Sequence, residues 1–328
     1  MDRKAKIVEF LQDKNIKFEK DFLISKISYF KIGGTVPFFI TPENIEQIVN
    51  LVKFLQTIEY PYKVIGNASN CLFKDSGIDK VIVSLKKFQK ISTDENNNLV
   101  NVEAGVMLPL FVKTLSQKGK QGFEGLIGIP GTIGGAIFMN AGAYGNGICD
   151  NLIDISYLDR NGIIKIISKK ETKFSFRYSI FQEFKDFIIL SARFRLLNGN
   201  QKDIDEKIRL CQRDRNIYQE TKYPNLGSLF KTRDIYEDIA CQHKMYAYLL
   251  WFLRKTSKFY GRKNNRVINY FTIKYFNMNY GHEKPFSDKT LNCLVNRGNL
   301  TFKKAMVFID MMKKILKNSV ELEIEIVE

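Results

Sequence analysis

Between Gly128 and Gly145 the chain reads Gly-Ile-Pro-Gly-Thr-Ile-Gly-Gly-Ala-Ile-Phe-Met-Asn-Ala-Gly-Ala-Tyr-Gly, and no other stretch limits the fold as strongly. With so little side-chain cover, backbone amides there can converge on an anion in a way bulky residues forbid. A diphosphate is the guest such a surface suits. The pattern is not a dinucleotide fingerprint, since no G-x-G-x-x-G stands between a strand and a helix with an acidic residue about twenty positions on, and no Gly-Lys-Ser/Thr follows to make a P-loop. The alternative is a buried glycine turn that lets two layers approach. Pro130 fixes one turn, and Thr132 and Asn140 add short polar side chains, which favours the anion reading. The candidate cradle comprises Gly128, Ile129, Pro130, Gly131, Thr132, Gly134, Gly135, Asn140, Gly142, Ala143 and Gly145.

Around this stretch, strands and helices alternate. Residues 36–40 read as a strand, Thr41 and Pro42 as a cap and first-turn proline, and Ile45, Ile48, Val49, Val52 and Leu55 as one helical face. The strand at 62–65 ends in Gly66, Asn67, Ala68, Ser69 and Asn70. A small polar loop at a strand's carboxyl end is where open α/β layers bind ligands, although an ordinary Asn/Ser turn would look the same. Further strands are expected at 81–85, 99–104 and 187–195, a helix at 108–117, and a hairpin at 153–158 and 163–167 turned by Asp159-Arg-Asn-Gly162. Asn198-Gly-Asn200 reads as a hinge, which places a boundary near 198.

A chain of 328 residues exceeds what one core serves comfortably, so two domains are expected. The net charge of +16 suits an anionic partner, although Lys, Asn, Ile and Phe are abundant along the whole chain. Cys71, Cys149, Cys211, Cys241 and Cys293 form no close pairs, and the N-terminus is too charged for a secretory segment. Reduced thiols in the cytoplasm follow. No apolar run approaches the length of a membrane span. With only His243 and His282 and no Cys-x-x-Cys, no metal site is expected.

The second half opens with an amphipathic helix near 202–215, then Tyr223-Pro-Asn-Leu-Gly-Ser-Leu-Phe-Lys231, where Gly227 frees the backbone before Ser228. No G-x-S-x-G surrounds that serine, so a hydrolase fits poorly. A placed hydroxyl can instead act as an acid, and a purely structural serine is the alternative. Residues 236–275 are rich in cations and rings, and 251–266 contain no acid. That mix can stack bases and track phosphates, or form a solvated helix with its aromatics facing inward. A helix is expected at 301–317, and strict alternation from Glu321 to Val327 predicts a strand with Glu321, Glu323 and Glu325 on one face.

Six motifs in order, Phe30-Lys-Ile-Gly-Gly34, Gly66-x-x-Ser-Asn70, Gly128-Ile-Pro-Gly-Thr-x-Gly-Gly-Ala136 with Met139-Asn-Ala-Gly-Ala-Tyr-Gly145, Phe176-Arg-x-Ser179, Gly227-Ser-x-Phe-Lys231 and Leu322-Glu-x-Glu325, resemble the UDP-N-acetylenolpyruvoylglucosamine reductase (MurB) family. The match runs over 25–232 and again from about 285 to the end. The short interval from Arg177 to Ser228 resembles the subgroup without a tyrosine-bearing lid.

The resemblance implies an α+β fold, with a two-part FAD-binding domain of the vanillyl-alcohol-oxidase type followed by a smaller α/β substrate-binding domain. It divides the chain into an N-terminal helical segment at 1–24, the FAD-binding domain at 25–197 and the substrate-binding domain at 198–328. It also implies that NADPH reduces FAD, that the flavin passes hydride to C3 of the enolpyruvyl group, and that a proton goes to C2 to give UDP-N-acetylmuramate. By the same likeness the catalytic residues are Arg177, Ser228 and Glu325, and Lys231 binds substrate. The chemistry agrees, because charge building at C2 and its carboxylate suits a guanidinium and a nearby acid. The implied protein is a cytoplasmic monomer whose partners are a UDP-sugar and NADPH, with neither membrane nor nucleic acid. The sequence departs from the family at Phe176, Thr232, Thr290 and Ile324, and 233–285 does not align. Two alternatives remain: a flavin-binding protein that has lost the reaction and uses 236–275 to bind nucleic acid or a partner, and an oxidase on the same fold.

Overall fold

The computed structural model describes residues 2–256, 265–281 and 283–328. They pack as two units interleaved along the chain: Met1–Leu23, Thr35–Ala68 and Ile78–Arg215 in the first, Ile24–Gly34, Ser69–Gly77 and Asn216–Glu328 in the second. Consecutive domains at 1–24, 25–197 and 198–328 are therefore not what the packing gives. Helix α1 (Arg3–Asp13) is followed by strand β1 (Lys17–Leu23), which pairs with β2 (Thr35–Thr41), so the N-terminal segment is part of the first unit's sheet. The expected hinge at Asn198 is also engaged. The pair Leu197–Asn198 (β14) lies antiparallel to Lys120–Gln121 (β8), and the next helix, α5 (Gln201–Tyr218), buries Ile204 and Cys211 and ion-pairs Lys207 with Glu124 at 3.1 Å.

In the first unit, β2, β5 (Val81–Ser84) and β3 (Tyr62–Ile65) run parallel, with β1 antiparallel at the edge. Every residue of β5 is buried, as a strand covered on both faces requires. The crossover helix α2 (Ile45–Thr57) sends Ile48, Leu51, Val52 and Leu55 into the core. Its cap is Asn44, whose side chain accepts the Gln47 amide at 2.9 Å, whereas Thr41, the expected cap, ends β2. A second, antiparallel sheet orders β12 (Ile164–Ser168), β11 (Leu152–Leu158), β13 (Ile188–Arg195), β7 (Leu99–Glu103) and β6 (Ile91–Asp94). Helix α3 (Leu108–Ser116) packs with it, and Phe111, Phe123 and Phe194 meet at ring separations of 5.3–5.8 Å within one continuous core.

The second unit gathers helices α6 (Ile235–Gln242), α7 (Lys244–Thr256), α8 (Arg266–Tyr275) and α9 (Phe302–Ile315) about a core containing Phe230, Tyr246, Phe286 and Phe308, joined by Phe30, Ile32 and Leu72. In it β4 (Cys71–Phe73) runs parallel to β15 (Glu325–Val327). The expected strand at 321–327 is interrupted. Leu322 bridges Phe230, the chain bends at Glu323 and Ile324, and Ile324 and Val327 are the buried residues. The 236–275 aromatics likewise divide, with Tyr236 and Tyr246 inside while Tyr248, Trp251, Phe252 and Tyr270 are exposed.

The whole is α+β, as expected. No helix of the described residues is long and apolar enough to cross a membrane, and none of their His, Cys, Asp and Glu side chains cluster as metal ligands.

Candidate functional site

In the first unit the glycine-rich stretch folds back on the end of β7. Leu108 N–H donates to Gly131 O, Ile133 N–H to Val106 O and Gly134 N–H to Ala104 O, each at 2.9 Å. Thr132 caps the short helix α4 (Ile133–Phe138), its Oγ1 accepting the Gly135 amide at 3.3 Å. A Cβ on Gly134 would stand 3.0 Å from Ala104 Cβ and 3.3 Å from its carbonyl oxygen, so any side chain there would have to push α4 and the strand end apart. The loop after β3 arrives at the same place. A Cβ on Gly66 would fall 2.3 Å from Thr132 Oγ1, and Asn67 Nδ2 donates to Pro130 O at 2.6 Å.

What these two loops leave over is a set of donors. The amides of Gly66, Asn67, Ala68, Gly128, Gly131 and Thr132 make no hydrogen bond to any described residue, whereas those of Ile129, Ile133, Gly134 and Gly135 are engaged internally. Unengaged amides with almost no side-chain cover fit the diphosphate of a dinucleotide cofactor. Within the predicted set, Gly134 therefore serves close packing, and the Gly135 amide is spent on the Thr132 cap. Ser69 and Asn70 belong to the second unit, where Asn70 Nδ2 donates to Glu323 O at 2.9 Å.

One residue of this site escapes the sequence reading. A Cβ on Gly128 would lie 2.1 Å from Arg215 Nε, and the Arg215 guanidinium is 5.8 Å from the Tyr144 ring centroid. Beside its backbone amides the cradle thus has a cation from the end of α5. No spacing rule links that helix end to Gly128.

Past α4, Asn140 (φ 42°), Tyr144 (φ 50°) and Gly145 (φ 81°) turn the chain through a small hairpin of Gly142–Ala143 (β9) and Asn146–Gly147 (β10). This hairpin holds Arg177. Arg177 Nη2 donates to Gly142 O at 2.9 Å, and Asn140 Nδ2 donates to Ser175 O at 2.7 Å. Ser175 and Tyr178 exchange backbone bonds of 3.2 and 3.1 Å, so Phe176 and Arg177 form the tip of a tight turn. Arg177 has φ 54°, a strained value for a side-chain-bearing residue that persists because its surroundings fix it, including Gln182 Nε2 on its carbonyl at 3.0 Å. Phe176 leaves its ring exposed, 5.4 Å from the Arg177 guanidinium carbon.

In the second unit, side-chain amides hold Ser228. Asn225 Oδ1 accepts the Gly227 amide at 3.0 Å, and Gly227 takes φ 75°. Leu229 N–H donates to Asn292 O at 2.9 Å, Asn292 Oδ1 accepts Phe230 N–H at 2.8 Å, and Asn292 Nδ2 donates to Phe230 O at 3.1 Å. On the other side Glu323 N–H donates to Leu229 O at 2.9 Å, and Glu325 N–H to Asn70 O at 2.8 Å. Ser228 and Glu325 are half-buried. The expected substrate ligand Lys231 lies 3.0 Å from Glu321 Oε2 with its side chain 16% exposed, so an ion pair already occupies it. Sequence reasoning gave Asn225 and Asn292 no role.

The departures from the family pattern are absorbed locally. Thr232 Oγ1 hydrogen-bonds Asp238 and accepts Asp234 N–H at 3.0 Å, and Thr290 Oγ1 accepts Asn292 N–H at 3.1 Å. Before the serine turn, Glu220 Oε2 accepts Ser287 Oγ–H at 2.7 Å, and Lys289 donates to Asn216 O at 2.7 Å. Burial pushes the Glu220 carboxyl up, but the Ser287 hydroxyl and the Lys222 and Tyr223 amides outweigh it and hold it below its ordinary value. Burial drives the Cys293 thiol up to about 12, so it is no nucleophile.

Known proteins resemble this chain in sequence and in fold. Residues 36–168 match the FAD binding domain family. The UDP-N-acetylenolpyruvoylglucosamine reductase of Clostridium perfringens (strain 13 / Type A) is 35% identical over 228 residues, 70% of this chain and 73% of that protein. Its counterpart in Petrotoga mobilis is 30% identical over 301 residues, 90% of this chain and 89% of that protein. The crystal structure of UDP-N-acetylenolpyruvylglucosamine reductase (MurB) from Thermus caldophilus superposes with a TM-score of 0.70 at 24% identity, covering 95% of this chain and 100% of that one, a likeness of fold. The FAD-binding part is of the vanillyl-alcohol-oxidase type.

Proposed function

Because this chain belongs to the UDP-N-acetylenolpyruvoylglucosamine reductase family, we propose that it reduces the enolpyruvyl group of UDP-N-acetylglucosamine enolpyruvate to UDP-N-acetylmuramate, a precursor of peptidoglycan, with FAD as cofactor and NADPH as reductant. The observation that carries the reading is the pair of abutting loops at 66–68 and 128–132, whose unengaged amides suit a diphosphate. Reduced FAD supplies the hydride that reaches C3.

The chain's own part is charge and proton control. Ser228 gives its hydroxyl proton to C2, and the Arg177 guanidinium stabilises the negative charge that builds at C2 and on the adjoining carboxylate. Glu325 orients Ser228 and the substrate carboxyl. In this reading the first unit binds FAD, the second binds the UDP-sugar, and Lys231 leaves Glu321 to meet it. The enzyme works as a cytoplasmic monomer.

The test is colour. Purified protein should be yellow, bleach with NADPH and recolour with the enolpyruvyl sugar nucleotide. Colourless protein that takes up no FAD would sink the proposal, and bleaching without recolouring would point to a flavin protein that has lost the reaction.

A further inference from the structure

Helix α7 is apolar on two opposite faces. Tyr246, Leu250 and Leu253 enter the second unit's core, where Tyr246 meets Tyr275 and Phe276 at ring separations of 5.5 and 5.4 Å. At helical spacing Met245, Tyr248, Trp251 and Phe252 fall on one outward stripe, and they are 70, 72, 60 and 57% exposed. A surface helix ordinarily shows water a polar face, so this stripe marks an interaction surface. Lys244 and Lys255 stand on the same stripe near its two ends, and the Lys255 ammonium lies 4.8 Å from the Trp251 ring centroid. Helix α8 repeats the composition, with Tyr270, Phe271 and Tyr275 exposed and Lys274 5.0 Å from the Tyr270 ring centroid.

Charge selects the occupant. From Ile239 to His282 the sequence contains eight Lys and Arg and no Asp or Glu. Lys258, Arg262 and Lys263, with His282, lie outside the described residues, and Arg254 is tied to Asp234 and Glu237. Lys244, Lys255 and Lys274 occupy exposed positions. A second copy would bring like charge against like. A single strand of nucleic acid tracks along a groove in its protein, and an outward helix stripe is convex. Trp and Tyr with apolar bodies and polar edges, beside lysines whose ammonium groups lie over the rings, suit the headgroup layer of an anionic bilayer.

We propose that the outward stripe of α7 docks the protein on the surface of a membrane containing anionic phospholipid. Surface docking needs no spanning helix, and the proposal stands independently of the reductase reading. It revises the expectation of no membrane partner.

Trp251 is the only tryptophan in the chain, so its emission reports the stripe directly. The full-length holoprotein would be titrated with phosphatidylcholine vesicles rich in phosphatidylglycerol and with pure phosphatidylcholine vesicles, alongside vesicle flotation. With the anionic vesicles Trp251 emission should shift to the blue and resist acrylamide. The Tyr248→Ser/Phe252→Ser variant, which keeps the reporter, should lose roughly tenfold or more in vesicle affinity. Lys244→Gln/Lys255→Gln should weaken binding by roughly tenfold or more and flatten its salt dependence. All four positions are exposed, so both variants should melt as the parent does. An emission spectrum unmoved by anionic vesicles overturns the proposal. So does a blue shift that grows with protein concentration in the absence of lipid, which assigns the stripe to a second copy, or tighter binding to single-stranded polyuridylate than to vesicles.

Discussion

The glycine-rich stretch and the Ser228 turn both hold an irregular segment still, by opposite means. At 128–135 side chains have been removed, so that Gly134 can lie on Ala104 and Gly66 on Thr132, and amides are left over. At 225–230 side chains have been added, with Asn225 and Asn292 supplying the partners a regular strand would give. The first region is therefore sensitive to atoms added at Gly66 and Gly134, and the second to a lost hydrogen bond. In the proposed function, the first presents backbone to a ligand and the second aims one hydroxyl.

The largest effect should come from adding atoms. In Gly134→Val the first atom of the side chain already meets Ala104, and overpacking of this kind costs about 1–3 kcal/mol locally. In the proposed function, displacement of the loop by even a fraction of an ångström separates amides that converge on one anion. We expect folded, colourless protein, checked by circular dichroism and visible absorbance. Full flavin content in Gly134→Val would show that the close packing does not matter to the cradle.

Removing the hydroxyl tests the other side of the comparison. A positioned proton donor is commonly worth roughly 10²–10⁴ in rate, so Ser228→Ala should lose about that much in reoxidation by the sugar nucleotide. Bleaching by NADPH needs no proton at C2 and should keep its rate. Stopped-flow absorbance separates the two halves, and unchanged reoxidation would remove Ser228 from the chemistry.

The two regions were also unequally legible. The glycine stretch is a contiguous string whose chemistry can be read locally, and so are the buried strand at 81–84 and the helical face of α2. Arg215 was not, because only the packing of α5 brings it to Gly128. The strict alternation at 321–327 misled, since pairing to Phe230 and then to β4 forces a bend between them. The boundary near 198 misled for a related reason: Gly199 reads as a hinge, yet its neighbours pair with Lys120 and Gln121. Motif likeness pointed to Ser228 and Arg177, but the residues that hold them, Asn292 and Gly142 among them, become visible only in three dimensions.

Asn292→Ala should give an intermediate effect and sharpen the contrast. It leaves the buried Phe230 amide and carbonyl without their side-chain partners, a loss of about 1–3 kcal/mol. The melting temperature should fall, reoxidation should slow, and flavin content and bleaching by NADPH should hold. Asn292→Asp, which keeps the acceptor and loses the donor, should lie between. Equal slowing of both half-reactions would mean that Asn292 supports the fold at large and has no particular hold on the serine turn.

The smallest effect should appear in acid. The carboxyl of Glu220 sits below its ordinary value in the folded protein, because the Ser287 hydroxyl and two backbone amides outweigh the effect of burial. An unfolded glutamate titrates near about 4.3, so this group's stabilisation is fully present above that pH and is lost as the pH falls through the lower, folded value. Gly66, Asn67, Ala68 and residues 128–135 carry no ionisable side chain, so the cradle has nothing of its own to lose there. As the pH is lowered, the emission of Trp251 in the second unit should change before flavin is released. Glu220→Gln should melt lower than the parent near neutrality, with the two curves converging in acid. Flavin release at a higher pH than the Trp251 change would reverse the order and place the acid-sensitive contacts in the first unit.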